Sequence, residues 1–325
     1  MSSTFLQALV YSLRYEAAGI VSVELRPLAP AAEFPQVVEA GAHIDLQLSE
    51  GLSRSYSLTN PGESHRYVVA VALDPNSRGG SRFVHETLRV GQVIRIGGPR
   101  NHFALVQDAP HSVLVAGGIG ITPVFAMLRQ LAALGRSAHL IYCAGSRSGA
   151  AFVEEITALV GSMPAALSVD WHFKEEKGVR PDLGTLLAGY PPDTHFYCCG
   201  PLSMLDAFED SCAQWGLTQV HLERFAAAPL AAPVHPEGGY AVELRKSGKT
   251  IVVPEGMSLL DAMLGAGMSP EYSCREGVCG ACEVRVICGD VDHRDLILSK
   301  REQAANKSMM VCVSGCRSGN LVLDC

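Results

Sequence analysis

The sequence predicts a multidomain protein with an antiparallel β-barrel, an α/β doubly wound domain and a small α+β domain, in that order. The chain has 325 residues, more than a single hydrophobic core usually organises. Short alternating runs fill the first third, and from His111 onward apolar strand-like runs alternate with helical ones. A stretch rich in Pro, Ala and Gly then precedes a cysteine-rich region.

Residues 1–106 are expected to form the β-barrel. Apolar and polar residues alternate there, as they do in strands with one buried face. The strand-like runs include IVSVELRP, HIDLQLSE, RYVVAVAL and QVIRIGG. Turns containing Gly, Pro and Asn separate these runs at short intervals, which is typical of a sandwich or a small barrel.

Residues 107–225 are expected to form the α/β domain. Its strand-like runs are SVLVAGG, AHLIYCAG, LSVDWHF and HFYCCG, and its helical runs are PVFAMLRQLAALG, AAFVEEITALV, DLGTLLAGY and SMLDAFEDSCAQWG. This alternation predicts a parallel, doubly wound sheet. Residues 226–239 have the composition of a linker. Residues 240–325 are expected to form the third domain, with a hairpin in YAVELRKSGKTIVVPEG and a helix in SLLDAMLGAG.

The cysteines of the third domain have the spacing of an iron–sulfur site. Cys274, Cys279 and Cys282 form a C-x4-C-x2-C pattern, and Cys312 follows 30 positions later. Plant-type ferredoxins hold a [2Fe-2S] cluster with this spacing, whereas structural zinc usually takes two C-x2-C pairs. Disulfides would indicate a secreted chain, but the first residues lack the features of a signal peptide. A plant-type 2Fe-2S ferredoxin domain is therefore predicted. Cys316 is an alternative fourth ligand, and Cys312 is favoured because it lies between valines in an apolar, strand-like run.

The composition is that of a globular protein, with 48% hydrophobic and 18% charged residues. The net charge of −7 gives no indication of nucleic-acid binding, and no apolar run approaches the length that spans a membrane. Eleven cysteines without a signal peptide indicate a reducing compartment. We therefore expect a cytoplasmic monomer that binds neither nucleic acid nor membranes.

Two segments of the barrel together suit a phosphorylated flavin. They are Arg54-Ser55-Tyr56-Ser57 and Asn76-Ser77-Arg78-Gly79-Gly80-Ser81. An arginine can pair with a phosphate, and a tyrosine ring can cover an aromatic plane. The glycines lead into the helical run RFVHETLRVG, where N–H groups favour an anion. Each segment also has a structural explanation: an exposed strand with a packed tyrosine, and Ser81 as a helix N-cap.

The α/β domain carries two turns that suit a dinucleotide. The first turn contains Gly117, Gly118, Gly120, Thr122 and Pro123, and the second is Cys199-Gly200-Pro201. Glycines after a strand let the backbone approach a dinucleotide, and proline fits the first turn of the next helix. The pattern is not G-x-G-x-x-G, so a purely structural turn is the alternative. A cysteine at the carboxyl edge of a parallel strand faces the ligand crevice, although a buried thiol is the other explanation.

These motifs, in this order, resemble the phthalate dioxygenase reductase family. The order is R-S-Y-S-L-T-N, N-S-R-G-G-S, G-G-I-G-I-T-P, C-C-G-P and the cysteine pattern. Vanillate demethylase and carnitine monooxygenase reductases look similar, and the resemblance spans essentially the whole chain. It implies that NADH gives a hydride to FMN. The flavin then passes single electrons through the 2Fe-2S cluster to a separate Rieske-type terminal oxygenase, as in the degradation of aromatic compounds.

The resemblance also implies roles for individual residues. Thr122 would lie near the flavin–nicotinamide junction, Cys199 beside the nicotinamide, and Glu223 at the flavin edge. These three are the candidate catalytic residues, and we expect Cys199 and Glu223 to tune orientation and charge. The implied flavin contacts are Arg54, Ser55, Tyr56, Ser57, Val71, Ala72, Gly79, Gly80, Ser81 and Phe225. The implied nucleotide contacts are Gly117, Gly118, Gly120, Thr122, Pro123, Ser146, Arg147, Cys199, Gly200 and Pro201.

Three alternatives stay open at this point. Ser146 and Arg147 follow the second strand of the α/β domain and could accept the 2′-phosphate of NADPH, although the family favours NADH. FAD could replace FMN, because sequence rules do not decide between these flavins. The chain could also be a non-catalytic electron-carrier or redox-sensing module.

Overall fold

The computed structural model of the chain describes residues 5–49, 51–225, 238–298 and 300–325. These residues belong to two compact units, one that extends to Phe225 and one that contains residues 238–325. Most of the predicted linker, residues 226–237, lies outside the described residues.

The first unit begins with a six-stranded antiparallel sheet. Its strands are β1 (Leu6–Ala17), β2 (Ile20–Pro27), β3 (His43–Ser49), β4 (Leu52–Ser57), β5 (Tyr67–Ala72) and β6 (Val93–Ile96). They lie in the order β4-β3-β6-β1-β2-β5. The sequence did not predict β1, because two register shifts against β2 interrupt its alternation of buried and exposed residues.

The two edge strands of this sheet approach each other. Leu58, directly after β4, forms a β-bridge with Val69 in β5, and the N–H of Thr59 donates to the carbonyl of Val68 at 2.9 Å. The predicted helical run after the Gly79-Gly80 pair is a short helix, α1 (Gly80–Arg82), which continues as a π-helical turn over Phe83–Thr87.

A five-stranded parallel sheet completes the first unit. Its strands are β7 (His111–Gly117), β8 (Ser137–Ala144), β9 (Leu167–Phe173), β10 (His195–Cys199) and β11 (Val220–Glu223). Its helices are α2 (Ile121–Ala133), α3 (Val153–Ser162), α4 (Lys174–Lys177), α5 (Leu183–Leu186) and α6 (Leu202–Gln214). The strand order β11-β10-β7-β8-β9 makes β7 and β10 neighbours, so the sheet changes direction between them.

Alternate residues of the parallel strands enter cores on opposite faces of the sheet. Val113 and Cys198 pack with α5 and α6, whereas Leu114 and Cys199 pack with α2 and α3. The core on the α2 and α3 side also contains Ala17 and other residues of the antiparallel sheet. Because both sheets contribute to one core, the strand that carries Arg54 is held in a fixed position relative to the glycine turns.

The second unit contains a five-stranded mixed sheet and a two-stranded ribbon. Its strands are β12 (Tyr240–Leu244), β13 (Lys249–Val253), β14 (Glu283–Cys288), β15 (Val291–Asp292), β16 (Ser308–Met310), β17 (Gly315–Cys316) and β18 (Asn320–Leu323). Its helices are α7 (Leu259–Gly265) and α8 (Lys300–Ala305). The sheet order is β13-β12-β18-β14-β16, in which only β12 and β18 are parallel, and β15 pairs with β17.

One detail of the sequence interpretation is wrong. Cys312 was placed in a strand-like run, but β16 ends at Met310 and residues 311–313 form a turn. The backbone bends there because the N–H groups of Val313 and Ser314 both donate to the carbonyl oxygen of Met310. The apolar residues reflect burial of this turn in the core rather than extended structure.

Candidate functional site

Arg54 in β4 and the Gly79-Gly80 turn lie against each other. The Arg54 Nη2 atom donates to the carbonyl oxygen of Arg78 at 2.9 Å. A Cβ atom on Gly80 would come within 2.6 Å of the Arg54 Cγ atom, so the approach requires glycine. A guanidinium group is thereby fixed beside the start of α1, where it can pair with a phosphate.

Ser81 stabilises the loop before α1. Its hydroxyl accepts from the N–H of Asp74 at 3.1 Å and donates to the Ser77 hydroxyl at 2.9 Å. Ser77 Oγ in turn accepts from the N–H of Arg82 at 3.2 Å. Ser81 is therefore not the N-cap of α1. That position is held by Gly79, which has a φ of 95°.

The other residues predicted to contact a flavin differ in what they offer a ligand. Tyr56 packs against the core of the antiparallel sheet, and its burial raises the pKa of the phenol to about 12. The hydroxyl of Ser55 donates to Asp45 at 2.6 Å. The side chain of Val71 is buried, and its carbonyl oxygen lies 2.9 Å from His85 Nε2, so neither is open to a ligand. Ala72 packs against the core that both sheets share.

The two glycine-containing turns of the parallel sheet meet at the carboxyl ends of β7 and β10. A Cβ atom on Gly120 would lie 2.2 Å from the carbonyl oxygen of Cys199, so no other residue fits without moving the backbone. A Cβ atom on Gly200 would lie 3.2 Å from the Cα atom of Gly117. The Thr122 hydroxyl is buried and donates to the carbonyl oxygen of Ile119 at 3.0 Å, which holds this turn closed.

The remaining members of the predicted nucleotide set lie at the same edge. Pro123 is buried in the first turn of α2, Gly118 is partly exposed, and Pro201 precedes α6 and accepts from the N–H groups of Met204 and Leu205.

Cys199 and Glu223 lie side by side where the parallel sheet meets β4. They are register partners in β10 and β11. Burial raises the pKa of the Cys199 thiol well above its usual range, with a further contribution from Glu223. Burial raises the pKa of Glu223 to about 8, and the nearby Ser57 hydroxyl lowers it. That contact lacks full hydrogen-bond geometry, since Ser57 Oγ and Glu223 Oε2 are both buried with no hydrogen-bond partner in the part of the chain that the structure describes.

A buried carboxyl and a hydroxyl with open hydrogen-bonding capacity suit a polar ligand at this junction. Phe225 follows Glu223 by two residues, and 40% of its surface is exposed. The structure thus brings together Ser57 of the antiparallel sheet with Cys199 and Glu223 of the parallel sheet.

A cavity of about 280 Å³ lies at the carboxyl edge of the parallel sheet. Gly117, Gly118, Gly145, Pro201 and Met204 form part of its wall. His172, Lys174 and Arg180 also line it, and the sequence interpretation missed these three. His172 and Lys174 lie at the end of β9, so the rule that ligands bind at the carboxyl ends of parallel strands would have found them, whereas Arg180 lies beyond α4.

Ser146 and Arg147 directly follow Gly145, a residue of the cavity wall. The Ser146 hydroxyl accepts from the N–H of Gly149 at 3.1 Å. The Arg147 guanidinium lies over the Phe173 ring at 4.6 Å and donates through Nε to Glu176 at 3.0 Å. Both side chains of the pair are about half exposed, at 53% and 47%. The positive charge of Arg147 is therefore already paired with a carboxylate.

The four predicted cluster cysteines form two pairs. Cys279 Sγ accepts from the N–H of Cys274 at 3.5 Å, and a hydrogen bond between the two thiols lowers the pKa of Cys274 to about 6. A hydrogen bond between Cys282 and Cys312 raises the pKa of Cys282. Cys316 is paired elsewhere: it lies in β17, and its thiol donates to the carbonyl oxygen of Asn320 at 3.4 Å.

The pairs fit a two-iron cluster better than a single metal ion. Each iron of a [2Fe-2S] cluster takes two cysteines. Within residues 5–49, 51–225, 238–298 and 300–325, no three Cys, His, Asp or Glu side chains converge as the ligands of one ion would. Three of the thiol residues are buried, and Cys274 is partly exposed, so the site has a closed and an open side.

Comparisons with known proteins agree with this geometry. Residues 242–317 match the model of the 2Fe-2S iron-sulfur cluster binding domain, and residues 114–210 match that of the oxidoreductase NAD-binding domain. The chain is 45% identical to phenoxybenzoate dioxygenase subunit beta of Ectopseudomonas oleovorans, over 97% of this chain and 96% of that protein. The structure of phthalate dioxygenase reductase matches with a TM-score of 0.70 and 35% identity, covering 99% of this chain and 98% of that one.

The chain belongs to the phthalate dioxygenase reductase family.

Other relatives of this reductase agree with that assignment. Vanillate O-demethylase oxidoreductase of Pseudomonas putida is 40% identical, over 98% of this chain and 99% of that protein. The reductase also matches an intact type IV self-sufficient cytochrome P450 monooxygenase with a TM-score of 0.88 and 38% identity, where it covers 41% of the longer chain. It is an oxidoreductase with an NAD-binding domain and a [2Fe-2S] domain. Among its described residues, no helix is long and apolar enough to cross a membrane.

Proposed function

We propose that this reductase is the NADH-dependent component of a two-component Rieske non-haem iron oxygenase. One observation carries the proposal: Ser57, from the strand of Arg54, lies beside Glu223 and Cys199 at the edge that carries the nucleotide turns. Hydride transfer needs a nicotinamide ring held against a flavin ring, and this junction joins the predicted sites of both.

The flavin is FMN in this proposal. Arg54 and the N–H groups of Gly80 and Ser81 hold its phosphate, and Tyr56 and Ser57 contact the ring and ribityl chain, with Phe225 at the ring edge. Gly79 and Ala72 shape the site, Val71 supports it from the core, and Ser55 acts through Asp45, to which its hydroxyl donates. The curled six-stranded sheet then serves as the flavin barrel. Extraction of the flavin and chromatography against FMN and FAD standards distinguishes the two.

NADH occupies the cavity at the carboxyl edge of the parallel sheet. Lys174 and Arg180 line it and suit the pyrophosphate. Glu176 favours NADH over NADPH, because a carboxylate bound to Arg147 repels a 2′-phosphate and accepts hydrogen bonds from ribose hydroxyls. Gly117, Gly118, Gly120 and Pro201 let the backbone approach the dinucleotide.

The bound flavin supplies the conversion of a two-electron donor into single electrons, which the [2Fe-2S] cluster carries onward. The residues of the chain supply position and electrostatics. Cys199 is fully buried with an elevated pKa, so it stays a neutral thiol and cannot act as a nucleophile at neutral pH. Near the flavin ring, Glu223 supplies a neutral carboxyl group below its pKa of about 8 and a carboxylate above it. Thr122 holds the glycine turn in place through its hydrogen bond to Ile119.

The partner in this proposal is a Rieske-type terminal oxygenase that acts on an aromatic compound. The names of the relatives support it, since they include phenoxybenzoate dioxygenase subunit beta and vanillate O-demethylase oxidoreductase. We further propose that the reductase works as a monomer in the cytoplasm. The eleven cysteines, all of them free thiols in the part of the chain that the structure describes, support a reducing compartment.

An anaerobic titration of the purified protein with NADH tests the proposal. Loss of the flavin absorbance together with loss of the broad cluster bands is expected. Bleaching by NADPH but not by NADH would contradict the assigned nucleotide. Absence of bleaching by either would overturn the reductase function and favour a non-catalytic electron carrier.

A further inference from the structure

Three separate segments of the chain meet behind the cluster cysteines. The first is the loop that contains Cys274, Cys279 and Cys282, the second is the turn that contains Cys312, and the third is residues 293–298. The N–H of Leu296 in the third segment donates to the carbonyl oxygen of Gly277 at 3.0 Å, within the cysteine loop.

Gly277 shows how closely the three segments approach. Its φ is +70°, a conformation that favours glycine. A Cβ atom there would lie 2.6 Å from Val313 Cγ2 and 3.0 Å from Asp295 Cα. A shift of any one segment would therefore move the cysteines of another.

The carboxylate of Asp295 connects this third segment to the Cys312 turn. Asp295 Oδ1 accepts from the hydroxyl of Ser314 at 3.2 Å, two residues after Cys312. Ser314 Oγ in turn accepts from the N–H of Arg294 at 3.2 Å. The second carboxylate oxygen accepts from the N–H of Leu298 at 2.9 Å, which closes the segment on itself.

The charge of this carboxylate is enclosed by protein. The Asp295 side chain is 0% exposed, and His293 Nδ1 lies 3.5 Å from Asp295 Oδ1. An enclosed charge acts over a longer distance than a solvated one, because water does not screen it. Nearby charge and hydrogen bonds set the reduction potential of an iron–sulfur cluster.

We propose that Asp295 is a positioning residue of the cluster domain. It holds the three-cysteine loop against the Cys312 turn, and its negative charge lowers the reduction potential of the bound cluster. Sequence spacing gives no sign of this role, because Asp295 lies 13 positions after Cys282 and 17 before Cys312.

Two substitutions in the full-length, cluster-loaded protein separate the two parts of the proposal. Asp295→Ala removes the connection, and iron release to a chelator is expected to become roughly 10- to 100-fold faster. Asp295→Asn keeps the shape but removes the charge. At a fixed potential, its ratio of reduced to oxidised cluster is expected to rise about tenfold, a shift of ~59 mV for one electron. Electron paramagnetic resonance of the reduced cluster measures this ratio separately from the flavin.

Asp290→Asn is the matched control, since Asp290 is an exposed acidic residue of the same unit. An Asp295→Ala protein that releases iron at the rate of this control overturns the proposal, and so does an Asp295→Asn protein with the wild-type potential.

If Asp295→Ala yields no cluster-loaded protein, Ser314→Ala tests the positioning role instead. It removes one of the two hydrogen bonds that residues described in the structure donate to the carboxylate, and a wild-type release rate there overturns the positioning role. Reduction of ferricyanide by NADH verifies in each variant that the flavin-containing unit is folded.

Discussion

At the scale of single residues, the contact between Glu176 and Arg147 bears on cofactor choice. Replacing Glu176 with Gln removes the carboxylate and leaves Arg147 available for a 2′-phosphate. We expect kcat/KM for NADPH relative to NADH to rise about tenfold, or ~1.4 kcal/mol in transition-state energy. Steady-state rates with ferricyanide as acceptor measure the ratio. Glu175→Gln, the exposed neighbour, should leave it unchanged; an equal effect of both substitutions would mean that only the general charge of the rim matters.

Glu223 gives the flavin-free protein a pH-dependent stability. Its folded-state pKa is raised from 4.5 to about 8 by burial. Between these values the native state holds a proton that the unfolded chain releases. The stabilisation is therefore complete below about pH 4.5 and is lost as pH rises through about 8, by at most ~1.4 kcal/mol per pH unit.

The measurement is the melting temperature of the flavin-free protein between pH 5.5 and 8.5. Glu223→Gln should flatten the decline, because the amide does not titrate, while Glu175→Gln should keep it. A wild-type slope in Glu223→Gln would place the titrating group elsewhere.

Residue types and spacings predicted the cluster ligands but not every residue around them. Cys274, Cys279 and Cys282 were predicted as ligands because an iron–sulfur loop has a fixed local spacing. The proposed roles of Glu176 and Asp295 were not predicted, because each depends on a contact between segments that are distant in sequence. Such contacts leave no periodic or spaced pattern to detect.

At the scale of elements, the contact between the two glycine-containing turns after β7 and β10 determines the shape of the sheet edge that is proposed to bind the nucleotide. In Gly120→Ala the added methyl group would lie 2.2 Å from the carbonyl oxygen of Cys199, so the two turns must separate. A displacement of about 1 Å costs on the order of 100-fold in rate, and we expect a loss of that size in flavin reduction by NADH. Stopped-flow absorbance at the flavin band measures it.

Gly161→Ala is the control for this substitution. Gly161 lies in α3, and its added Cβ would meet no atom within 4 Å. Wild-type reduction by Gly120→Ala would show that the turns tolerate separation and that their contact does not position the nucleotide.

The elements themselves were largely predictable, and the exceptions have physical causes. Four of the five parallel strands were predicted, and the short β11 was not. Strands β7, β8 and β10 are largely buried and have mostly apolar sequences, whereas the partly exposed β9 alternates apolar and polar residues. Strand β1 was missed because its bulges break the alternation. The turn at Cys312 was mistaken for a strand because a buried turn and a buried strand are equally apolar.

At the scale of the whole molecule, the two units have separate cores, so loss of the cluster should leave the flavin-containing unit active. Cys282→Ser is expected to lose the visible cluster bands and most of the iron. It should still reduce ferricyanide with NADH at close to the wild-type rate, but it should not reduce a protein acceptor of single electrons. Cys288→Ser, which changes an exposed cysteine of the same unit, is the control. Normal cluster bands in Cys282→Ser would remove Cys282 from the ligand set.

The order of the strands in the second unit has a consequence for biosynthesis. Strand β18 follows all four predicted cluster cysteines in the chain, yet it lies between β12 and β14 in the middle of the sheet. Domains fold as units during translation, beginning with the N-terminal one. The first unit can therefore fold and take up its flavin on the ribosome, whereas the second cannot complete its sheet until β18 has emerged. We therefore expect iron and sulfide to enter the protein after the flavin-containing unit has folded.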